Sequence, residues 1–154
     1  MSDRLLILFI LNLGTAFGAG LYESRIVLPQ WFPKSVSGGY QIDTSAIRNS
    51  DVGRRFWAFV TTLPLTVLTL ANLVIAWQTN SPNRSLWLAA ALISLIERIS
   101  TFTFFIPTII RLQNTQLPES APTSRLAAFW IRANYLRNAL VLIAWALSLL
   151  VISH

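Results

Sequence analysis

Cysteine is absent from this 154-residue chain, and its one histidine is the last residue, His154. Without cysteine there is no disulfide, no thiol redox chemistry and no thiolate-bound metal. Without an internal histidine, a haem or carboxylate–histidine di-iron site has no imidazole to use inside the protein. No metal site and no cofactor are therefore expected. Charge is scarce as well. Asp, Glu, Lys and Arg make up only 12% of the residues and hydrophobic residues 54%, whereas an ordinary soluble domain carries about 25% charge. A deficit of that size makes lipid the expected solvent.

The chain has long apolar runs instead. Residues 5–28, 56–77, 86–110 and 126–152 each supply enough residues to cross a hydrocarbon core of about 30 Å at about 1.5 Å per residue. Little is left over for a soluble domain. The expectation is a single integral membrane domain over residues 1–154, all-α, folded as an antiparallel four-helix transmembrane bundle. The first run is read as a retained helix and not a cleaved signal, because it is longer than a typical signal core.

Loop 29–55 is the long connection. Pro29 and Pro33 are expected to stop helix one, with Trp31 and Phe32 between them suited to the interfacial belt. Gly38-Gly39 signals a turn, and Asp43-Thr44-Ser45 signals the cap of a short helix running toward Arg54. Loop 78–85 is short and polar, which makes helices two and three antiparallel neighbours. Loop 111–125 holds Pro118 and Pro122 and reads as irregular. Trp57, Trp77 and Trp87 lie near helix ends, where tryptophans anchor a membrane interface.

The formal net charge is +6, nearly all from arginines at segment ends. Topology and lipid headgroups explain that pattern, and no nucleic-acid partner is expected. Loops 29–55 and 111–125 carry Lys34, Arg48, Arg54, Arg55, Arg111 and Arg125, while the other side carries only Arg4 and Arg84. The positive-inside rule puts both loops in the cytoplasm and both termini on the opposite side of the cell membrane.

Glu97 and Arg98 stand near the centre of the third apolar run, where a charge costs about 2.5–3.5 kcal/mol on insertion scales and usually faces a protein interior or polar cavity. Sorting each run by its 3.6-residue period gives every helix one polar stripe. The stripes are Asn12, Thr15 and Glu23 on helix one, and Thr61, Thr69 and Asn72 on helix two. Helix three has Ser94, Glu97, Thr101 and Thr108, and helix four has Trp130, Asn134, Arg137 and Ser148. In lipid the simplest arrangement turns all four stripes inward. Arg98, about 100° around the helix from Glu97, is read as a flanking counter-charge or a partner to another helix. Arg25 and Arg132 are placed to snorkel to the interface.

Two readings of this interior stay open. One is a structural polar network that fixes helix order. The other is a substrate or proton site, since intramembrane ionisable groups are usually functional. In the second, Glu97 and Glu23 are the candidate catalytic bases, and Arg137, Asn134, Trp130, Arg98 and Asn72 the candidate substrate-binding residues. Gly14 and Gly18 form a GxxxG suited to close helix packing, within the chain or in a homo-oligomer or larger membrane complex.

Several local patterns together resemble the anthrone oxygenase-like family of small four-helix membrane proteins. They are Ala19-Gly20 followed by Leu21-Tyr22-Glu23 and Pro29, Phe56-Trp57, Phe105-Ile106-Pro107 with Arg111-Leu112, and Trp130 followed by Asn134 and Arg137. The last, W-x3-N-x2-R, is the most specific. The resemblance implies a four-helix fold and, by analogy with the characterised fungal relatives, cofactor-free oxidation of an anthrone to an anthraquinone. It also implies that Asn134 and Arg137 line the site. With no internal histidine, the base falls to Glu23 or Glu97. The alternative function is non-enzymatic: a small-molecule transporter, or an assembly partner whose polar network is structural.

Overall fold

The computed structural model describes residues 2–36, 38–115 and 120–153. The described residues are overwhelmingly helical and carry no strand beyond an isolated bridge between Lys34 and Tyr40. Four helices are long and apolar enough to cross a membrane. Helix one is Asp3–Trp31, helix two Arg55–Gln78, helix three Arg84–Gln113 and helix four Ala121–Ser153. A short helix, Thr44–Ser50, lies in the first loop. The long helices pack as a bundle, helix four against helices one and three, and helix two against helices one and three.

Prolines explain a local feature that three of the four long helices share. Glu23–Val27, Gly53–Thr62 and Thr101–Phe105 are wound as π-helix. Each stretch is followed by an α-helical segment with proline second, at Pro29, Pro64 and Pro107. A proline inside an α-helix lacks its N–H and its ring collides with the carbonyl four residues back. The wider turn moves that carbonyl away. The residue just before each proline donates five residues back instead: Leu28 to Glu23, Leu63 to Ala58 and Ile106 to Thr101. Val60, whose usual donor partner would be the nitrogen of Pro64, has its carbonyl taken by Asn12 Nδ2 at 3.0 Å. Helix four carries its one proline, Pro122, in its first turn, where a missing N–H costs nothing. It is α-helical throughout its 33 residues.

Two consequences differ from the sequence reading. Helix one runs through Pro29 to Trp31, because the π turn accommodates the ring that was expected to end it. Helix four begins at Ala121, so Pro122 belongs to a helix and not to an irregular loop. Pro118 lies outside the described residues.

The first loop folds over one end of the bundle. Gly38, with φ of 86°, turns the chain back so that Tyr40 meets Lys34. The Asp43 carboxylate caps the short helix by accepting from the Ala46 N–H at 2.8 Å, and Asp51, at φ 41°, ends it. Arg48 ties this helix to the end of helix three, donating from Nε to the Gln113 carbonyl (3.1 Å) and from Nη2 to Asn114 Oδ1 (3.3 Å). Trp31 and Phe32, expected at an interface, are instead buried in the apolar cluster beneath this cap with Ile42, Ile47, Phe105, Leu112 and Trp130. Trp31 Nε1 donates to Ser50 Oγ at 3.2 Å.

A second apolar cluster fills the other end, around Leu6, Phe9, Leu13, Leu65, Ala76, Trp87, Ala90 and Ala144. Gly14 admits Trp145 of helix four, whose ring atoms lie 3.1–3.3 Å from where a Cβ would stand. The polar stripes do face inward: Glu23, Thr61, Thr69, Asn72, Ser94, Glu97, Thr101, Asn134 and Ser148 are buried, while Thr15 is exposed. Arg25 and Arg132 are exposed, as their positions suggested.

Candidate functional site

The three π segments border one cavity. Its volume is about 670 Å³, and it runs from the bundle interior to the capped end, between helices two and three. The other halves of these two helices pack along each other, but their π-wound halves do not pack extensively. Glu23, Trp57, Thr61, Thr101 and Phe105 come to its wall from the π segments, Glu97 and Arg98 from the turn before the third, and Trp130, Arg137 and Asn138 from helix four.

Glu23 is held on both oxygens. Trp57 Nε1 donates to Oε1 at 2.9 Å, and Arg137 Nη2 donates to Oε2 at 3.2 Å. The Arg137 guanidinium also lies over two aromatic faces, 4.7 Å from the centre of Phe105 and 5.6 Å from that of Trp57. Those faces attract a cation. Glu97 is held differently. Thr101 Oγ1, one turn on, donates to Oε1 at 3.0 Å, while Arg98 turns Nε and Nη2 back onto Oε2. The adjacent pair therefore closes on itself. Sequence spacing had separated the two by face and left Arg98 as a flanking counter-charge or a partner to another helix; it is the counter-charge, because the arginine is long enough to fold around the backbone. Buried pairing of this kind is demanded by desolvation, since an unpaired charge here would cost several kcal/mol.

Trp130 is buried between Phe32 and Phe105, with ring centres 5.8 and 5.9 Å away, and donates Nε1 to the Phe105 carbonyl at 3.2 Å. The same π-wound turn that carries Phe105 thus supplies an acceptor to the indole. No family model matches this chain, and neither a curated protein nor a solved structure does. The site's chemistry has to be read from its own geometry.

Of the residues singled out from sequence, the structure brings Glu23, Glu97, Arg98, Trp130 and Arg137 to the cavity. Asn134 is fully buried just behind it, with Nδ2 3.4 Å from Ser24 Oγ. Asn138, one turn further along helix four, borders the cavity and donates to the same Ser24 at 3.1 Å. The approach depends on Gly20, where a Cβ would overlap the Asn138 amide. Asn72 is not part of the site. It lies toward the other end, accepts from Trp87 Nε1 at 3.0 Å and donates to the Leu68 and Leu5 carbonyls at 2.8 and 3.3 Å.

Sequence reasoning missed Trp57, Asn138 and Phe105. Asn138 was findable, since it continues the 130–134 spacing by one more turn. Trp57 was not, because a tryptophan near a helix end is equally an interfacial anchor. Among the described residues, no three His, Cys, Asp or Glu side chains converge to hold a metal ion. The cavity offers three carboxylates (Glu23, Asp51 and Glu97), three guanidiniums (Arg48, Arg98 and Arg137), hydroxyls and aromatic walls. That set can bind a flat, largely apolar molecule, take a proton from it and stabilise the resulting oxyanion.

Proposed function

We propose that this chain is a multi-pass membrane protein, an antiparallel four-helix transmembrane bundle, that binds a lipophilic aromatic or quinone-like molecule in the cavity between helices two and three. The observation that carries the reading is the cavity itself. A polar network that served only to fix helix order would fill its own space, whereas about 670 Å³ remains beside Glu23, Glu97, Arg98 and Arg137. The outward faces support residence in lipid: Leu11, Phe59, Val67 and Leu136 are each more than 60% exposed, and runs of exposed large apolar side chains call for an apolar surround. The excess of positive charge on the first and third loops supports a cytoplasmic position for both, with the termini across the membrane.

Among the residues of the anthrone oxygenase-like resemblance, Glu23, Trp57, Phe105, Trp130 and Arg137 border the cavity, while Asn134 stands behind it. By that analogy the activity is oxidation of an activated ring CH2 to a ketone by molecular oxygen. Glu97 or Glu23 removes the acidic proton, and an arginine stabilises the enolate or phenolate. The carbanion adds to O2, the resulting peroxide anion takes up a proton, and the hydroperoxide so formed loses water to leave C=O. The sum, CH2 + O2 → C=O + H2O, balances without a resident redox group.

One observation favours a second reading. Each carboxylate already has an arginine on it, and accepting a proton would forfeit that buried ion pair and strand the arginine. In that case the protein binds or carries such a molecule without transforming it. Mass spectrometry of lipophilic molecules co-purifying with the wild-type chain and with Glu97→Gln tests the shared part. A specific aromatic species on the wild type, diminished in the variant, is expected. If neither carries one and the variant merely unfolds, the site reading falls. Oxygen uptake with anthrone separates the two readings: uptake supports oxidation, and binding without uptake supports carriage.

A further inference from the structure

Two of the three arginines that border the cavity, Arg98 and Arg137, are not equivalent. Arg137 is clamped: it donates to Glu23 and lies against the Phe105 and Trp57 rings. Arg98 places Nε and Nη2 on a single oxygen of Glu97 and leaves Nη1 with no hydrogen-bond partner among the described residues. Arg98 is only 6% exposed and borders the cavity. A guanidinium presents five N–H donors and no acceptor, and buried donors in folded proteins are nearly always paired. Arg98 thus keeps two N–H groups close behind the cavity wall, themselves closed to solvent, with nothing among the described residues to receive them.

We infer that Arg98 Nη1 is the docking donor for an acceptor oxygen, a carbonyl or phenolate, on the molecule that occupies the cavity. The inference rests on the ligand-binding reading above and names what that ligand must carry. Charge narrows the class. Glu23, Asp51 and Glu97 balance Arg48, Arg98 and Arg137, so the charged groups of the wall are neutral in sum. A dianionic group such as a phosphate would bring charge that nothing among them compensates. A single carbonyl or phenolate oxygen satisfies the donors without that cost. Much of the remaining wall is apolar or aromatic, with Ile106, Ile109 and Ile110 of helix three alongside Trp57 and Trp130. The ligand is therefore a flat hydrocarbon framework with an oxygen at one edge. Arg137, held by its neighbours, is a positioning residue for Glu23.

The test compares two probes of the same shape, 9,10-anthraquinone and anthracene, for saturable binding to the full chain in lipid nanodiscs. The wild type should prefer the quinone by about tenfold or more, the worth of one charge-assisted hydrogen bond in a buried site. Arg98→Met alone strands Glu97 and risks unfolding, so the deciding variant is the neutral pair Glu97→Gln with Arg98→Met. It should bind anthracene within about twofold of wild type and lose the preference. A double variant that keeps the tenfold preference overturns the assignment. Equal binding of both probes by the wild type overturns the role of Arg98 while leaving the cavity reading intact. If neither probe binds, the cavity reading falls first and takes this inference with it.

Discussion

Toward the second loop, polar side chains are buried in small groups that close on themselves. Asn72 uses both ends of its amide, on Trp87 and on two backbone carbonyls, and Thr69 meets Ser94 at 2.8 Å. Ala76, Ala90, Ala91 and Ala144 are fully buried there, and their small size lets the helices come together. Toward the first loop the polar groups are charged, three helices widen into π turns before a proline, and the space between helices two and three stays open. Both ends bury polar residues, so polarity alone does not mark a site. What distinguishes the capped end is that the backbone is wound wide there and an open cavity lies beside its buried charges. π-helical turns are frequent at functional sites.

The sharpest way to break this contrast is to remove a charge from the open end. Glu23→Ala leaves Arg137 buried without its carboxylate and should cost about 3–5 kcal/mol, measured by denaturant unfolding in detergent. Replacing both partners, Glu23→Gln with Arg137→Met, should recover most of that loss. A single variant as stable as wild type would show that the pair is solvated, contrary to its burial. Trp57→Phe keeps the ring against Arg137 but removes the donor to Glu23 Oε1. A hydrogen bond to a charged group is worth about 1.5–3 kcal/mol, and the same unfolding measurement should find that loss. A cost no larger than that of Trp77→Phe, whose ring is exposed, would return Trp57 to a role as an interfacial anchor. At the closed end, Asn72→Leu strands the Trp87 N–H and should cost about 1–3 kcal/mol while leaving anthraquinone binding unchanged. A variant that lost binding instead would join the two ends into one functional unit.

The same contrast explains what the sequence disclosed. Apolar runs announce long helices whatever their neighbours, so all four were legible, within a few residues at each end. Inward stripes were legible because long apolar runs leave their few polar residues one face to share, and Glu23, Glu97 and Arg137 fell on them. Depth was harder. Asn72 shares a stripe with Thr61 but stands three turns along it, at the other end of the cavity-bearing helix, and a face assignment does not separate the two. The Glu97–Arg98 closure was one of two options left open, because counting angles around a helix ignores the reach of a long side chain. The π turns were hidden because a proline in a sequence says that an α-helix is disturbed, not how it adjusts. Their consequence is functional: a π turn shifts every later side chain around the axis, and it is Phe105 and Trp57, both on π turns, that complete the aromatic wall.

The smallest effect concerns the cap that lies over the open end. Hydrogen bonds from Ser45 and from the Ala46 N–H hold the Asp43 carboxyl below its ordinary value. A carboxylate whose folded value is depressed stabilises the folded form fully above its unfolded value, and that stabilisation is lost as pH falls through the folded one. The short helix Thr44–Ser50 should therefore be firm at neutral pH and loosen only in acid, below the usual carboxylate range. An Asp43→Asn variant keeps a side chain that caps a helix equally well but does not titrate. Amide hydrogen exchange over residues 44–50, followed from neutral to acid pH and corrected for intrinsic rates, should show an acid-dependent loss of protection in the wild type that the variant lacks. The same loss in both would assign the acid sensitivity to another group. Arg48, Asp51 and Gly53 border the cavity and lie in or just after this helix, so a cap that loosens in acid also loosens the mouth. Anthraquinone release should then quicken in the wild type over the same pH window and not in the variant, which would tie the cap to the open end of the bundle.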